Sequence, residues 1–164
     1  MSFAIAPVAL RTAKAANAFE GETLMKKSIL PIGASPPSRL AQWPCKLRLV
    51  PDNAPYLDGA SLLLCADCAA YAYPALHERF MRGAITLIGC PALDGGAFAE
   101  KLTAILSKNS IQSIKLLRME VACCGGIEAA VRRALAESGK EIAVEVVTIT
   151  TDGTVAISQK TEHT

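Results

Sequence analysis

Aromatic residues are scarce in this chain, at 5% of 164 positions, which leaves no stacking platform for single-stranded nucleic acid. No charge sign dominates either. Lys+Arg number 17 against 15 Asp+Glu, and a net charge of +2 gives no basic stripe for a phosphate backbone. No apolar run approaches the ~18 residues that a membrane helix needs. Phosphate-loop motifs are missing too: there is no Gly-x-Gly-x-x-Gly and no Walker-type Lys-Ser/Thr. The only histidines are His77, inside an expected helix, and His163, in the tail, so no hydrolytic triad can be assembled.

Apolar residues, by contrast, make up 51% of the chain and charged residues 20%, enough to bury the core of one ordinary domain. Export is not expected. The stretch Phe3 to Leu10 is short, is interrupted by Pro7 and has no basic residue before it. A reducing cytoplasm is the expected setting, and cysteine clusters there point to metal or redox chemistry rather than disulfide staples.

Three segments are expected. Residues 1–40 are irregular or flexible, Ala-rich, with a short helix over 9–19 and a loop Pro31-Ile-Gly-Ala-Ser-Pro-Pro-Ser38 too rich in Pro, Gly and Ser for a regular element. Met25 begins an alternative start, Met-Lys-Lys-Ser. Residues 41–158 form the cysteine-rich domain, and 159–164 are a tail.

Within 41–158, Lys46-Leu-Arg-Leu-Val50 alternates like an edge strand. Ser61–Cys65 and Ala84–Gly89 are short apolar runs of the kind found in parallel strands covered on both faces. Ser113–Met119 and Ala143–Thr150 are further strands, and the turn Asp152-Gly153 with Thr154–Ser158 suggests a terminal hairpin. Between them, Pro74 starts a helix carrying Leu76 and Phe80 and capped by Gly83. Phe98, Leu102, Ile105 and Leu106 mark a second helix, with Asp94 as its N-cap. Ile127, Ala130, Val131, Ala134 and Leu135 mark a third, closed by Gly139. The alternation predicts an α/β fold: a mostly parallel sheet with helices on both faces and a C-terminal hairpin.

The six cysteines are Cys45, Cys65, Cys68, Cys90, Cys123 and Cys124. In a parallel sheet the last five fall at or just beyond the carboxyl ends of three strands, which share one edge, the edge where ligands bind in such folds. Each also lies near a helix start, where free N–H groups favour a thiolate. Gly89, Gly125 and Gly126 would let backbone approach a bulky group. Cys45 and Cys65 read equally well as small buried side chains. Thiolate clusters suit iron–sulfur or zinc, and only one Cys-x-x-Cys pair, Cys65-Ala-Asp-Cys68, is present. That pair also allows thiol–disulfide exchange, although no Trp precedes it, Asp67 opposes a low thiol pKa, and Cys90 and Cys123-Cys124 would be left unused. Arg118 and Glu120 are charged groups near the third strand end that could serve the site electrostatically but are better read as solvated.

Several segments resemble a known family. They are Arg39-Leu-Ala-Gln-Trp-Pro44, Leu47-Arg-Leu-Val-Pro51, Asn53-Ala-Pro-Tyr56, Gly59-Ala-Ser-Leu-Leu-Leu64 with Ala66-Asp67-Cys68, Ile88-Gly-Cys-Pro-Ala-Leu-Asp94, Arg118-Met-Glu-Val-Ala-Cys-Cys-Gly-Gly126, and Glu145-Val-Val-Thr-Ile149 with Asp152-Gly153. Over residues 38–153 the chain is similar to the C-terminal domain of ferredoxin-containing (4Fe-4S) iron–sulfur cluster-binding proteins. Members of that family carry an N-terminal ferredoxin module, for which no cysteine precedes Cys45 here. They also carry a Cys-Gly-Cys-Pro-Gly segment, to which Ile32-Gly-Ala-Ser-Pro36 corresponds without either cysteine. The resemblance implies an iron–sulfur cluster, of the 4Fe-4S type, with Cys68, Cys90, Cys123 and Cys124 as retained metal ligands. It further implies electron transfer with a separate ferredoxin-like or oxidoreductase partner. Zinc, thiol exchange and a docking module without redox activity are the alternatives.

Overall fold

In the computed structural model, residues 36–161 are described, all but Pro36 within the second of the chain's two units, Pro37–Thr164. The expected helix over 9–19, Met25, the first residues of the 31–38 loop and His163 lie outside the described residues.

Five strands form one sheet: β1 Ser61–Ala66, β2 Ile85–Gly89, β3 Ser113–Met119, β4 Val144–Ile149 and β5 Val155–Thr161. Their order is β2-β1-β3-β4-β5; the first four run parallel and β5 closes antiparallel on β4. Leu62, Leu63, Leu64 and Cys65 follow one another along β1, and none is more than 1% exposed. Consecutive strand residues point to opposite faces, so the centre of the sheet is covered on both sides.

Right-handed crossovers dictate how that cover is supplied. The β1-to-β2 connection carries the short helix α1 (Asp67–Ala72) across one face. The β2-to-β3 and β3-to-β4 connections carry α3 (Gly96–Lys108) and α4 (Gly125–Ser138) across the other, where they pack on each other. On α3, Phe98, Leu102, Ile105 and Leu106 are all fully buried. Each such side chain contributes roughly 1.5–3 kcal/mol by leaving water. On α4, Ile127, Val131, Ala134 and Leu135 line the inner face, and the helix ends where Gly139 adopts φ +65° and donates to the Ala136 carbonyl at 3.3 Å.

Three expectations need correction. Lys46–Val50 is not a strand: Lys46 makes a single parallel bridge to Ile88, after which Leu47–Leu49 coil into a 3-10 turn. Leu47 and Val50 are the buried positions there, a three-residue spacing that period-two alternation does not describe. The helix expected from Pro74 to Gly83 is only a π-helical turn, His77–Met81. The tail expected from 159 is the end of β5, since Gln159, Lys160 and Thr161 pair with Val146, Glu145 and Val144. Among the described residues, no helix is long and apolar enough to cross a membrane.

Candidate functional site

Parallel strands β1 to β4 end on one edge of the sheet. Chain direction across the sheet reverses between β1 and β3, because β1 leads outward to β2 and β2 leads back over it to β3. Such a switch point opens a crevice at the strand carboxyl ends. Asp67 and Cys68 begin α1 directly after β1. Cys90 follows β2 and precedes the one-turn helix α2 (Pro91–Asp94). The 3-10 turn Ala122–Cys124 follows β3 and leads into α4. A Cβ on Gly126 would stand 3.9 Å from the Pro91 Cβ, so the β2 and β3 loops meet above the end of β1.

The thiols form a graded set. Cys68 and Cys123 are exposed, Cys90 is half-buried and Cys124 is buried. Burial pushes the Cys124 thiol upward, a hydrogen bond with the Met119 backbone pulls it down, and the charges of Cys123, Cys68 and Cys90 push it up again. The four expected ligands thus sit in the loops beyond β1, β2 and β3, on one edge of the sheet. Among the described residues, no group of three or more His, Cys, Asp or Glu is arranged to hold a metal ion as the side chains stand.

Cys65 belongs to the core. It has no exposed surface, its Sγ faces the Ala66 carbonyl at 3.5 Å, and burial, aided by Asp67 and Cys124, pushes its pKa up to about 12. A thiol so held stays protonated at neutral pH and is a poor partner for Cys68 in disulfide exchange. Cys45 is half-buried beside β2, its carbonyl accepting the Ile88 amide at 2.9 Å.

Several rim side chains are already engaged. Asp67 pairs with Lys46 through one carboxylate oxygen, while its other oxygen is buried without a partner. Asp94 is not the N-cap of α3; Gly95, at φ +57°, occupies that position. The Asp94 carboxylate turns back instead and accepts the Cys90 amide at 3.0 Å, with Arg48 3.9 Å away on its other oxygen. Glu120 is not simply solvated: it accepts from the Thr151 amide at 2.8 Å, tying β3 to the β4–β5 turn. Arg118 faces α4, with Nε 3.9 Å from Glu128. His77 accepts the Arg39 amide at 3.1 Å, far from any metal role.

The glycines differ in what they accommodate. A Cβ on Gly89 would meet the Phe98 ring at 2.7 Å, so its missing side chain makes room for the core rather than for a ligand. Gly125 has nothing within 4 Å and Gly126 only Pro91, leaving open space beside Cys124. Sequence reasoning missed Lys46 and the role of Asp94. The spacing Cys90-Pro-x-x-Asp94 carried the signal: Pro91 at the first helical position, followed by an acid able to reach back to the N-cap amide, reads as a helix start.

The family described as a Rossmann-like domain matches residues 54–164. A protein of Archaeoglobus fulgidus, described as uncharacterized, is 33% identical to this chain over 115 residues, covering 70% of this chain and 81% of that protein. No solved structure gives a significant match.

Proposed function

Because this chain belongs to the Rossmann-like domain family and gathers its thiols at that fold's ligand edge, we propose that it binds a cysteine-ligated iron–sulfur cluster and exchanges electrons with a separate protein. Cys68, Cys90, Cys123 and Cys124 are the ligands in this reading. One observation carries it: the loops bearing these thiols, after β1, β2 and β3, open on one edge of the sheet, and those after β2 and β3 meet there, a Cβ on Gly126 standing 3.9 Å from the Pro91 Cβ. Buried apolar cysteines scattered for packing have no reason to converge so.

The donor set is chemically suitable, since soft thiolates select iron–sulfur clusters or zinc. Exposure leaves χ1 rotation of Cys68 and Cys123 free, which is the adjustment ligation requires. Helix α4 begins immediately after Cys124, whose thiol, pushed up by burial, would give up its proton on binding the metal rather than beforehand. A cluster supplies one-electron storage when bound. The chain's own residues hold it, and Gly125 and Gly126 leave space beside it. The resemblance of residues 38–153 to the C-terminal domain of ferredoxin-containing cluster proteins supports a 4Fe-4S type and a ferredoxin-like or oxidoreductase partner. Tyr71 and Leu93, 95% and 84% exposed, stand three positions beyond Cys68 and Cys90 and offer that partner apolar surface.

The test is purification without oxygen after iron-supplemented expression, with iron, acid-labile sulfide and the visible spectrum measured together. Matching iron and sulfide with a broad absorption that bleaches on reduction is expected, and Cys90→Ser or Cys124→Ser should abolish it. Zinc without sulfide would replace the redox reading by a structural metal site. Folded protein without metal would overturn both.

A further inference from the structure

Asp94 closes a small loop around Cys90. Its Oδ2 accepts the Cys90 amide at 3.0 Å, while the Asp94 and Leu93 amides donate to the Cys90 carbonyl at 2.7 and 3.0 Å. Cys90 is thus held by both backbone groups, and its φ and ψ, −135° and 104°, are fixed from the direction of α2. The Asp94 side chain is only 9% exposed, and the cation nearest its other oxygen is Arg48, at 3.9 Å and itself largely solvated. Asp94 is therefore a nearly buried carboxylate whose closest partner is a backbone amide of the thiol rim.

A helix-start stitch would satisfy the Cys90 amide equally well with a neutral side chain. Placing a charge there has a second consequence. The potential of a thiolate-ligated cluster depends on net charge and on the hydrogen bonds reaching its sulfurs. Asp94 affects both, because it adds a fixed negative charge beside one ligand and keeps the Cys90 amide from bonding to sulfur.

We infer that Asp94 is a positioning residue of the thiol rim: it fixes the backbone that aims the Cys90 thiol and lowers the reduction potential of the centre Cys90 helps to hold. This rests on the cluster reading above and goes beyond it by naming a residue outside the ligand set that tunes the centre.

Three variants of the anaerobically loaded protein test it. Asp94→Ala removes both the acceptor and the charge. Asp94→Asn keeps an amide oxygen for the Cys90 N–H and removes only the charge. Asp58→Ala deletes a comparable bond, from the Ser110 amide to Asp58 Oδ1 at 3.0 Å, at the opposite end of the sheet, and controls for general loosening. Iron and sulfide retention against a chelator is measured first, then the midpoint potential in a mediated titration. Asp94→Ala should retain the centre about 10–100-fold less well. Asp94→Asn should restore retention yet shift the reduced-to-oxidised ratio about tenfold toward reduced, ~59 mV upward for one electron. Asp58→Ala should change neither. Wild-type retention in Asp94→Ala, or an unchanged potential in Asp94→Asn, would overturn the role of Asp94 alone. Wild-type protein that takes up no iron and sulfide would overturn the cluster reading and this role with it.

Discussion

Replacing Gly89 by Ala should be disproportionately damaging for a single methyl group. Gly89 ends β2, and its backbone angles are not of the left-handed kind, so the strain is one of space. An ideal Cβ would lie 2.7 Å from Phe98 Cε2, 3.1 Å from Cδ2 and 3.4 Å from Asp94 Oδ2. Phe98 is fully buried on α3, so its ring cannot swing into solvent. Overpacking of this kind costs about 1–3 kcal/mol, which at roughly 2–4 °C per kcal/mol is a clear loss of Tm. Urea unfolding should show a lowered midpoint with an unchanged slope. The companion is Gly125→Ala, where φ −58° and ψ −32° are helical and no atom lies within 4 Å. That change should stabilise by about 0.4–1 kcal/mol through the unfolded chain. A double mutant combining Gly89→Ala with Phe98→Leu should recover part of the loss, because the shorter side chain vacates the clash, with a coupling of about 0.5–3 kcal/mol. Gly89→Ala unfolding at the wild-type midpoint, with no coupling to Phe98, would refute the packing argument.

Further outcomes follow from other parts of the molecule. Asp52 is held below the usual carboxylate range by hydrogen bonds from Lys101 and Lys108, so its contribution is present above the unfolded value of 3.8 and fades as pH falls through the lower folded value. Asp52→Asn should therefore cost about 1 kcal/mol or less at pH 7, with the gap from wild type closing in acid; a constant gap across pH would contradict it. With no metal bound, a thiol reagent should label Cys68 and Cys123 first and Cys65 only on unfolding, as read by mass spectrometry of digested protein. Equal rates at Cys65 and Cys68 would contradict the burial of Cys65. Gly153→Ala should lower the melting temperature, since φ is +81° and the new Cβ would lie 2.7 Å from the Ala72 carbonyl oxygen; a melt matching wild type would show that this turn is not docked on α1.

Elements buried on both faces, or with a strong period, were legible. The apolar runs in β1 and β2 leave strand as the economical reading, because they are short, bounded by turn residues and separated by helical periods. Helices α3 and α4 announce themselves through Phe98–Leu106 and Ile127–Leu135, each with one continuous buried stripe. What escaped were pieces whose form is set by their neighbours. Helix α1 has one buried residue, Ala69, and an almost wholly exposed Tyr71, so no stripe betrays it. Lys46–Val50 alternates convincingly, yet after one bridge to Ile88 its chain has passed the end of β2 and coils where no strand remains to pair with.

The site divides along the same line. Where Cys68, Cys90 and Cys123-Cys124 would gather follows from topology alone, since any residue just beyond a parallel strand arrives at the carboxyl edge whatever its side chain. How each thiol is held there does not follow, because burial and hydrogen bonding come from elements distant in sequence. Cys65 and Cys68 form one Cys-x-x-Cys pair, yet the first points into the core and the second into solvent. Asp94 has the spacing of a cap for α3 but serves Cys90, because Gly95 adopts the positive φ that ends α2 and restarts the chain as α3. The chemistry proposed for this rim therefore depends less on the number of cysteines than on where the fold puts each of them. Cys65 is enclosed in the core, whereas the proposed ligands Cys68, Cys90, Cys123 and Cys124 all lie in the loops and helix starts beyond the strands.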